Sequence, residues 1–280
     1  RELSGSAADS WNASLANEVL SSRSVPATIS DAIGLKLTTK EISEGTATAL
    51  ASKRQMDTMF GQGNYRAMRR RVIYQVSQDK HRAIDNAKTN SANSMTFLNE
   101  TITVVPTDIA AHNAVWIARK AKRPLSGTWQ LELGSEDQGE AYRGVPNAHH
   151  QLGNCVIATV GARMSKPGPC AAKADHGGQE ILFSTLFGHS YGLLAAVNNY
   201  NRWPELVVAI LRRITMVPCW HYFDDMGIMQ LNFEEKTGQL AVQELMDLMG
   251  RPAKRSKSIA LGTMTTHLGC VFNLSSMHKG

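Results

Sequence analysis

Two apolar, strand-like runs separated by only three residues constrain the fold of this chain more than any other feature. The runs are Met216 to Tyr222 and Met226 to Leu231, with Phe223-Asp224-Asp225 between them. So short a connection predicts an antiparallel hairpin with both carboxylates at its tip. Adjacent aspartates repel each other unless a cation neutralises them. The hairpin therefore indicates a divalent cation site, although Asp-Asp pairs are also common in surface turns.

A second acidic segment follows another predicted strand, at residues 129–133. It begins at Asp137 and runs through Glu140 to Tyr142. If the two strand ends meet, Asp137 joins Asp224 and Asp225 as a metal ligand. Oxygen ligands without a matching His or Cys cluster favour Mg²⁺ or Mn²⁺ over zinc. Two such ions about 4 Å apart can activate an attacking hydroxyl and stabilise a leaving oxygen in phosphoryl transfer.

The remaining patterns predict an α+β fold, a mainly antiparallel sheet with helices packed on one face. Residues 71–84 predict a hairpin that turns at Gln78-Asp79 and carries Lys80 and Arg82 on its second strand. Residues 1–60 predict loosely packed helices that precede the main fold, a helical lead-in. Residues 135–143 predict an acidic turn followed by the start of a helix. Helices are predicted at 108–122, 192–214 and 238–249, the second kinked or divided at Pro204, and strands at 154–160, 180–183 and 265–274.

Composition restricts the class of protein and of partner. The formal net charge of +6, from 30 Lys and Arg against 24 Asp and Glu, favours an anionic partner, with nucleic acid as the first candidate. Four cysteines without paired C-x-x-C spacing predict reduced thiols rather than a zinc site. The longest apolar runs fall far below the roughly 20 residues of a membrane helix, and no signal peptide is recognisable. We expect an intracellular protein, cytoplasmic or nuclear. The opening Arg1 suggests either a piece of a longer polyprotein or an incomplete gene model.

Two segments resemble the catalytic motifs of reverse transcriptases. In the first, Asp137 is followed at the fourth and fifth positions by Ala141 and Tyr142, and then by Val145-Pro146. The second, Tyr222-Phe223-Asp224-Asp225, resembles the family's Tyr-x-Asp-Asp motif. Each motif alone is weak, but both stand in the family's order.

Further motifs extend this resemblance over about residues 70–274. Phe187-Gly188 and the helix up to Asn201-Arg202 resemble the template- and nucleotide-binding motif. The segment from Lys80 to Asn86 is similar to the Lys-x-Arg-x-Ile-Asp-Asp segment of the fingers, particularly in DIRS-type and protist retroelements. Lys257 stands where the family has a lysine near the nucleotide. His267-Leu268-Gly269 resembles the Phe-Leu-Gly of the family's primer-gripping hairpin.

The resemblance implies an RNA-directed DNA polymerase with the right-hand fold. Residues 1–69 would form a helical lead-in, 70–128 the fingers and 129–280 the palm, with fingers elements interleaved at about 143–190 and neither thumb nor RNase H. The implied partners are an RNA template, a DNA primer and dNTPs, without a membrane, and the implied cofactors are two Mg²⁺ or Mn²⁺ ions. The oligomeric state is not predicted.

The family's residue roles carry over to matching positions. Asp137 and Asp224 would be the main metal ligands, supported by Asp225. Tyr142 would stack under the incoming sugar and exclude a 2′-hydroxyl. Gly188 would let backbone approach the nucleotide closely. Contacts to the nucleotide would also come from Lys80, Arg82 and Lys257, and motif support from Tyr222, Phe223 and Phe187.

Departures from the family pattern leave two alternatives open. Asn86 stands where a second Asp is usual, Gln138 where an apolar residue is usual, and Thr185-Leu186 where Leu-Pro is usual. One alternative is a decayed or repurposed retroelement fragment that only binds nucleic acid. The other is a viral-type RNA-dependent RNA polymerase, which shares the two-metal chemistry. That class usually has Gly-Asp-Asp in place of Tyr-x-Asp-Asp and lacks an aromatic residue that excludes a 2′-hydroxyl. Tyr222 and Tyr142 therefore argue against it.

Overall fold

The computed structural model describes residues 5–21, 29–76, 79–121, 129–162 and 179–277. The predicted turn residue Gln78 lies outside these ranges. In chain order the described helices and strands are α1 (Ser6–Ser21), α2 (Ile29–Ser43), α3 (Lys53–Phe60), β1 (Met68–Gln75), β2 (Lys80–Asn86), α4 (Ala92–Met95), α5 (Ile109–Ala121), β3 (Leu131–Asp137), β4 (Val156–Ala162), β5 (Gln179–Thr185), α6 (Leu194–Ile210), β6 (Cys219–Tyr222), β7 (Asp225–Leu231), α7 (Thr237–Leu248), β8 (Ile259–Gly262), β9 (Met264–His267) and β10 (Cys270–Asn273). The chain is thus α+β, with mostly antiparallel sheets.

The chain divides into two compact units. The first unit comprises residues 1–99 and 142–197, and the second comprises residues 100–141 and 198–280. Each unit contains its own four-stranded sheet and its own hydrophobic clusters. Among the helices that the structure describes, none is long and apolar enough to cross a membrane.

The sheet of the first unit has the strand order β2-β1-β4-β5. Its outer pairs are antiparallel, while β1 and β4 are parallel. The N-terminal helices pack on it more closely than the sequence indicates. Leu15 of α1 and Met56 of α3 are buried against Phe183 of β5, and Asn12 donates from Nδ2 to the Tyr65 carbonyl at 2.8 Å. The sequence did not predict this contact, because it is made by single Leu and Met residues and not by a continuous apolar stripe along each helix.

The sheet of the second unit has the antiparallel order β6-β7-β3-β8, and helices cover both of its faces. Ala114 of α5 packs on the face that carries Leu133 and Met229. Val207 of α6 and Val242 of α7 pack on the opposite face, which carries Met226 and Ile228. The expectation of helices on one face alone is therefore wrong. The reason is that β7 is buried on both of its sides, with Met226 and Ile228 on one and Met229 on the other, so the strand needs cover on both sides.

Three element boundaries differ from those predicted. β3 continues to Asp137, where a helix start was expected, because its pairing with β7 extends that far. α6 continues through Pro204 and ends in a π-helical turn at residues 211–215. Residues 264–273 form the β9–β10 hairpin rather than one strand. Leu268 and Gly269 both have positive φ, +49° and +77°, as a two-residue hairpin turn requires.

Trp220 of β6 connects that hairpin to the core of the second unit. Its indole is fully buried and stands edge-on to the His267 imidazole, and Nε1 donates to Nε2 of His267 at 3.1 Å. Its cross-strand partner is Gly227, where an added Cβ would overlap the indole ring. The aromatic ring therefore occupies space that only a glycine leaves free.

Four charged side chains form a buried network in the first unit. Asp85 is fully buried and accepts from Arg70 Nε at 2.8 Å and Arg143 Nη2 at 3.1 Å. Glu41 accepts from the same two arginines, at 2.5 Å from Arg70 and 2.8 Å from Arg143. Burial alone would raise the pKa of Asp85, but the two arginines outweigh burial and hold that pKa below its usual value of 3.8. Two cations and two anions thus balance within the core.

We expect Asp85→Ala to lower the free energy of unfolding of the first unit by about 3–5 kcal/mol near pH 7, because both arginines stay buried after losing a partner. The loss should shrink as the pH falls through the lowered pKa of Asp85, where the wild-type carboxylate becomes protonated. Urea unfolding followed by circular dichroism measures both effects. Glu44→Ala, which removes an exposed pair with Lys40, serves as the control and should cost less than about 0.5 kcal/mol. A similarly small loss for Asp85→Ala would contradict the stabilising role.

Candidate functional site

The register of the second unit brings the three predicted metal ligands to one end of its sheet. The β3–β7 pairing sets Asp137 opposite Asp225, and the β6–β7 pairing sets Tyr222 opposite Asp225. Phe223 and Asp224 therefore form the two-residue hairpin loop. The backbone N–H of Gln138 donates to the Asp224 carbonyl at 3.1 Å, which joins this loop to the end of β3.

Phe223 holds the hairpin in a strained backbone conformation. Its φ is +52°, in the left-handed region that side chains other than Gly, Asn and Asp rarely adopt. Such a conformation costs on the order of 1–2 kcal/mol. The Phe223 ring stands edge-on to the Tyr222 ring, with centroids 4.9 Å apart. That aromatic contact offsets part of the backbone strain.

Asp137 and Asp225 lie in unfavourable surroundings for two negative charges. The Asp137 side chain is 14% exposed, and its Oδ2 accepts from Lys257 Nζ at 2.7 Å. Among the described residues, its other oxygen, Oδ1, is buried without a hydrogen-bond partner. Burial, followed by repulsion from Asp224 and Asp137, raises the pKa of Asp225 to about 6, against a smaller lowering by Lys257. A cation near Asp225 would relieve this repulsion.

The carboxylate oxygens of the three aspartates are of the type that hard divalent cations prefer, but they are not arranged as a preformed metal site. Within the described ranges, no three His, Cys, Asp or Glu side chains stand as a preformed metal cage. Mutual repulsion keeps carboxylates apart when no cation lies between them. The orphaned Oδ1 of Asp137 and the raised pKa of Asp225 are the features that a bound cation would correct. Asp137, Asp224 and Asp225 supply oxygen ligands of the type that Mg²⁺ and Mn²⁺ prefer.

Tyr142 and Gly188 lie side by side in the first unit. The Tyr142 ring is half-buried and stands edge-on to Tyr191 at 5.3 Å. Gly188 pairs with Pro146, four residues after Tyr142. A Cβ at Gly188 would overlap the backbone carbonyl of Arg143, so only glycine fits there. The segment from Tyr142 to Pro146 and the pair Phe187-Gly188 therefore meet in this unit.

The other predicted nucleotide contacts divide between the units. Lys80 and Arg82 lie on one face of β2 in the first unit, because side chains two apart on a strand share a face. Arg82 Nε donates to Gln75 Oε1 at 2.6 Å, and Lys80 is exposed. Phe187 is 43% exposed in the same unit. Lys257 belongs to the second unit, beside Asp137.

Three polar residues have structural roles that the sequence did not indicate. Gln138 is buried, and the Tyr200 hydroxyl lies 2.7 Å from its amide. Arg143 completes the buried ion network of the first unit. Glu136 is fully buried next to Asp137. The sequence offered no signal for Glu136 or Gln138, because β3 contains several polar residues and Gln138 directly follows it.

Comparison with known proteins gives no assignment. No protein-family model matches the chain, and no curated protein matches it either. The arrangement of Asp137, Asp224 and Asp225 and the motifs around them are therefore the features from which a function can be inferred.

We expect Asp225→Asn to stabilise the cation-free protein at neutral pH. The pKa of Asp225 is about 6 in the folded protein and 3.8 when the chain is unfolded. Above pH 6 the ionised carboxylate therefore destabilises the fold, whereas below pH 3.8 the group is protonated in both states and has no effect. Allowing for solvent screening of a partly exposed group, the gain should be roughly 1 kcal/mol near pH 7.5 and should vanish toward pH 4. Urea unfolding in EDTA measures it, with Glu244→Gln on the exposed surface of α7 as the control. An equal gain at both pH values would contradict the raised pKa.

Proposed function

We propose that this chain is an RNA-directed DNA polymerase, the reverse transcriptase segment of a retroelement, and that its second unit is the palm. The observation that carries the proposal is the pairing of Asp137 with Asp225 across β3 and β7, with Asp224 in the adjoining hairpin loop. Three carboxylates then share one end of an antiparallel sheet. Asp137, from the first motif, ends β3, and the second motif, Tyr222 to Asp225, spans the turn from β6 to β7.

In this proposal the carboxylates of the second unit form the chemical centre. Asp137 and Asp224 would be the main ligands of two Mg²⁺ or Mn²⁺ ions, and Asp225 would support them. The ions would activate the primer 3′-hydroxyl and stabilise the leaving pyrophosphate. Lys257 would add positive charge at the triphosphate, which supports phosphoryl transfer electrostatically.

Residues of the first unit would select and hold the nucleotide. Tyr142 would stack under the deoxyribose and exclude a 2′-hydroxyl, a role that its half-buried, ring-supported position favours. Lys80 and Arg82 would contact the triphosphate from one face of β2. Gly188 would let backbone approach the nucleotide, in keeping with a position where no Cβ fits. Template RNA and primer DNA would be held through the protein's positive charge.

Primer extension tests the polymerase directly. On poly(rA)/oligo(dT) with dTTP and Mg²⁺ or Mn²⁺, we expect incorporation by the wild-type chain. Asp224→Asn should reduce it at least about 100-fold, the scale on which one electrostatic group matters in such a site. The matched control is Asp108→Asn, which makes the same change at an exposed aspartate that contacts His112 and should leave the rate unchanged.

The rival functions predict different outcomes of the same assay. A binding-only fragment would show salt-sensitive association with the primer–template and no incorporation by any variant. An RNA-dependent RNA polymerase would extend the primer with UTP rather than with dTTP. Incorporation that survives Asp224→Asn would contradict the proposed metal site.

Sugar selection tests the role of Tyr142. We expect Tyr142→Ala to admit ribonucleotides and to lower the dTTP-to-UTP ratio of kcat/KM at least about tenfold, equivalent to about 1.4 kcal/mol of lost discrimination. Tyr142→Phe keeps the ring and should keep the ratio. If Tyr142→Ala discriminates as well as the wild type, the ring is not the gate.

A further inference from the structure

The carboxylate of Glu136 is fully buried in the second unit, one residue before Asp137. Because strand side chains alternate, it is directed to the opposite face of β3 from Asp137. Its Oε1 accepts from Nε2 of Gln239 and of Gln243, both at 2.7 Å, and its Oε2 accepts from the Ser258 hydroxyl. The donors that the described residues provide are thus all neutral. Burying a carboxylate this way is costly compared with an apolar side chain, so core packing alone does not account for Glu136.

These hydrogen bonds connect three elements. Gln239 and Gln243 belong to α7, and Ser258 immediately precedes β8. Gln239 also bonds to the backbone of β8, donating to the Ile259 carbonyl at 3.0 Å. Glu136 therefore lies where β3, α7 and the start of β8 meet.

The segment 254–258 is held at both of its ends by β3. At one end, the Lys254 N–H donates to the Asp137 carbonyl at 2.8 Å. At the other end, Ser258 donates to Glu136. Between them, Lys257 lies in a 3₁₀ turn and its Nζ reaches Asp137 Oδ2 at 2.7 Å. Since the lysine side chain is long and 47% exposed, its backbone must be fixed if the ammonium is to stay at one position.

We propose that Glu136 is a positioning residue, which acts through Ser258 to fix the 254–258 turn and thereby the Lys257 ammonium beside Asp137. Glu136 does not itself face the cluster of aspartates. The placement of Lys257 stands on the hydrogen bonds alone, and only its use at a triphosphate rests on the proposed function.

Amine reactivity in the full chain tests the placement without any need for catalysis. Reductive methylation, followed residue by residue by mass spectrometry, reports how freely Lys257 leaves its partner. We expect Ser258→Ala to raise the rate at Lys257 at least about fivefold, the scale of one lost charge-assisted hydrogen bond, and to leave Lys254 unchanged. Ser258→Thr keeps the hydroxyl and should restore the wild-type rate. Ser256→Ala makes the same change at an exposed neighbour and should have no effect.

A double-mutant cycle tests whether Glu136 acts through Ser258. Glu136→Met, which fills a similar volume without any hydrogen-bond acceptor of comparable strength, should also raise the Lys257 rate, and adding Ser258→Ala should raise it no further, because the bond from Ser258 is already lost. If the two effects multiply, or if Ser258→Ala leaves the Lys257 rate unchanged, the positioning role is overturned.

Kinetics separate this inference from the proposed function. In an active polymerase, Ser258→Ala should raise KM for dTTP several-fold while kcat changes less, because a loosened Lys257 weakens nucleotide binding. If Lys257 responds in the labelling experiment but no variant incorporates dTTP, the positioning role stands and the polymerase proposal fails. If dTTP is incorporated but the Lys257 rate never changes, the polymerase stands and the positioning role fails.

Discussion

The register between β3 and β7 determines which carboxylates meet at the end of the second unit's sheet. Side chains alternate along a strand, so a slip of one residue would move Asp137 and Glu136 to each other's faces. The flanking strands β6 and β8 pack closely on this pair at two glycines. Gly227 leaves space for the Trp220 indole of β6, and Gly134 lets the Ile259 carbonyl oxygen next to β3 approach to 2.9 Å of where a Cβ would stand. A larger residue at either position would displace a strand that packs against β3 or β7.

The two units treat buried carboxylates in opposite ways. In the first unit, Asp85 is surrounded by arginines and its pKa is lowered. In the second unit, burial and the repulsion of two neighbouring aspartates outweigh the attraction of Lys257, and the pKa of Asp225 is raised. A carboxylate with its full countercharge stabilises a fold, whereas an under-neutralised group stores unfavourable energy that a ligand can release. This contrast distinguishes the structural cluster from the candidate functional one.

Local patterns in the sequence were enough to predict the hairpin that carries Asp224 and Asp225, because its strands and turn are adjacent in the chain. They also predicted the helices near 109–121 and 237–248 from periodicity. They did not predict the ion network, since Arg143 meets Glu41 from 102 residues away. Glu136 was missed for the same reason, because its donors lie 103 to 122 residues further along. Partners so distant leave no periodic signal, and a charged residue in a strand indicates an exposed position by default.

The hydrogen bond from Trp220 to His267 has a spectroscopic consequence. An indole N–H can only donate, so Nε2 of His267 must accept and the ring proton must reside on Nδ1. Burial lowers the pKa of His267, which keeps the imidazole neutral near physiological pH. The ring is therefore fixed in the less common Nδ1–H tautomer, and its two nitrogens have distinct ¹⁵N chemical shifts. Those resonances are an intrinsic label on the β9–β10 hairpin and would report its undocking without any added probe.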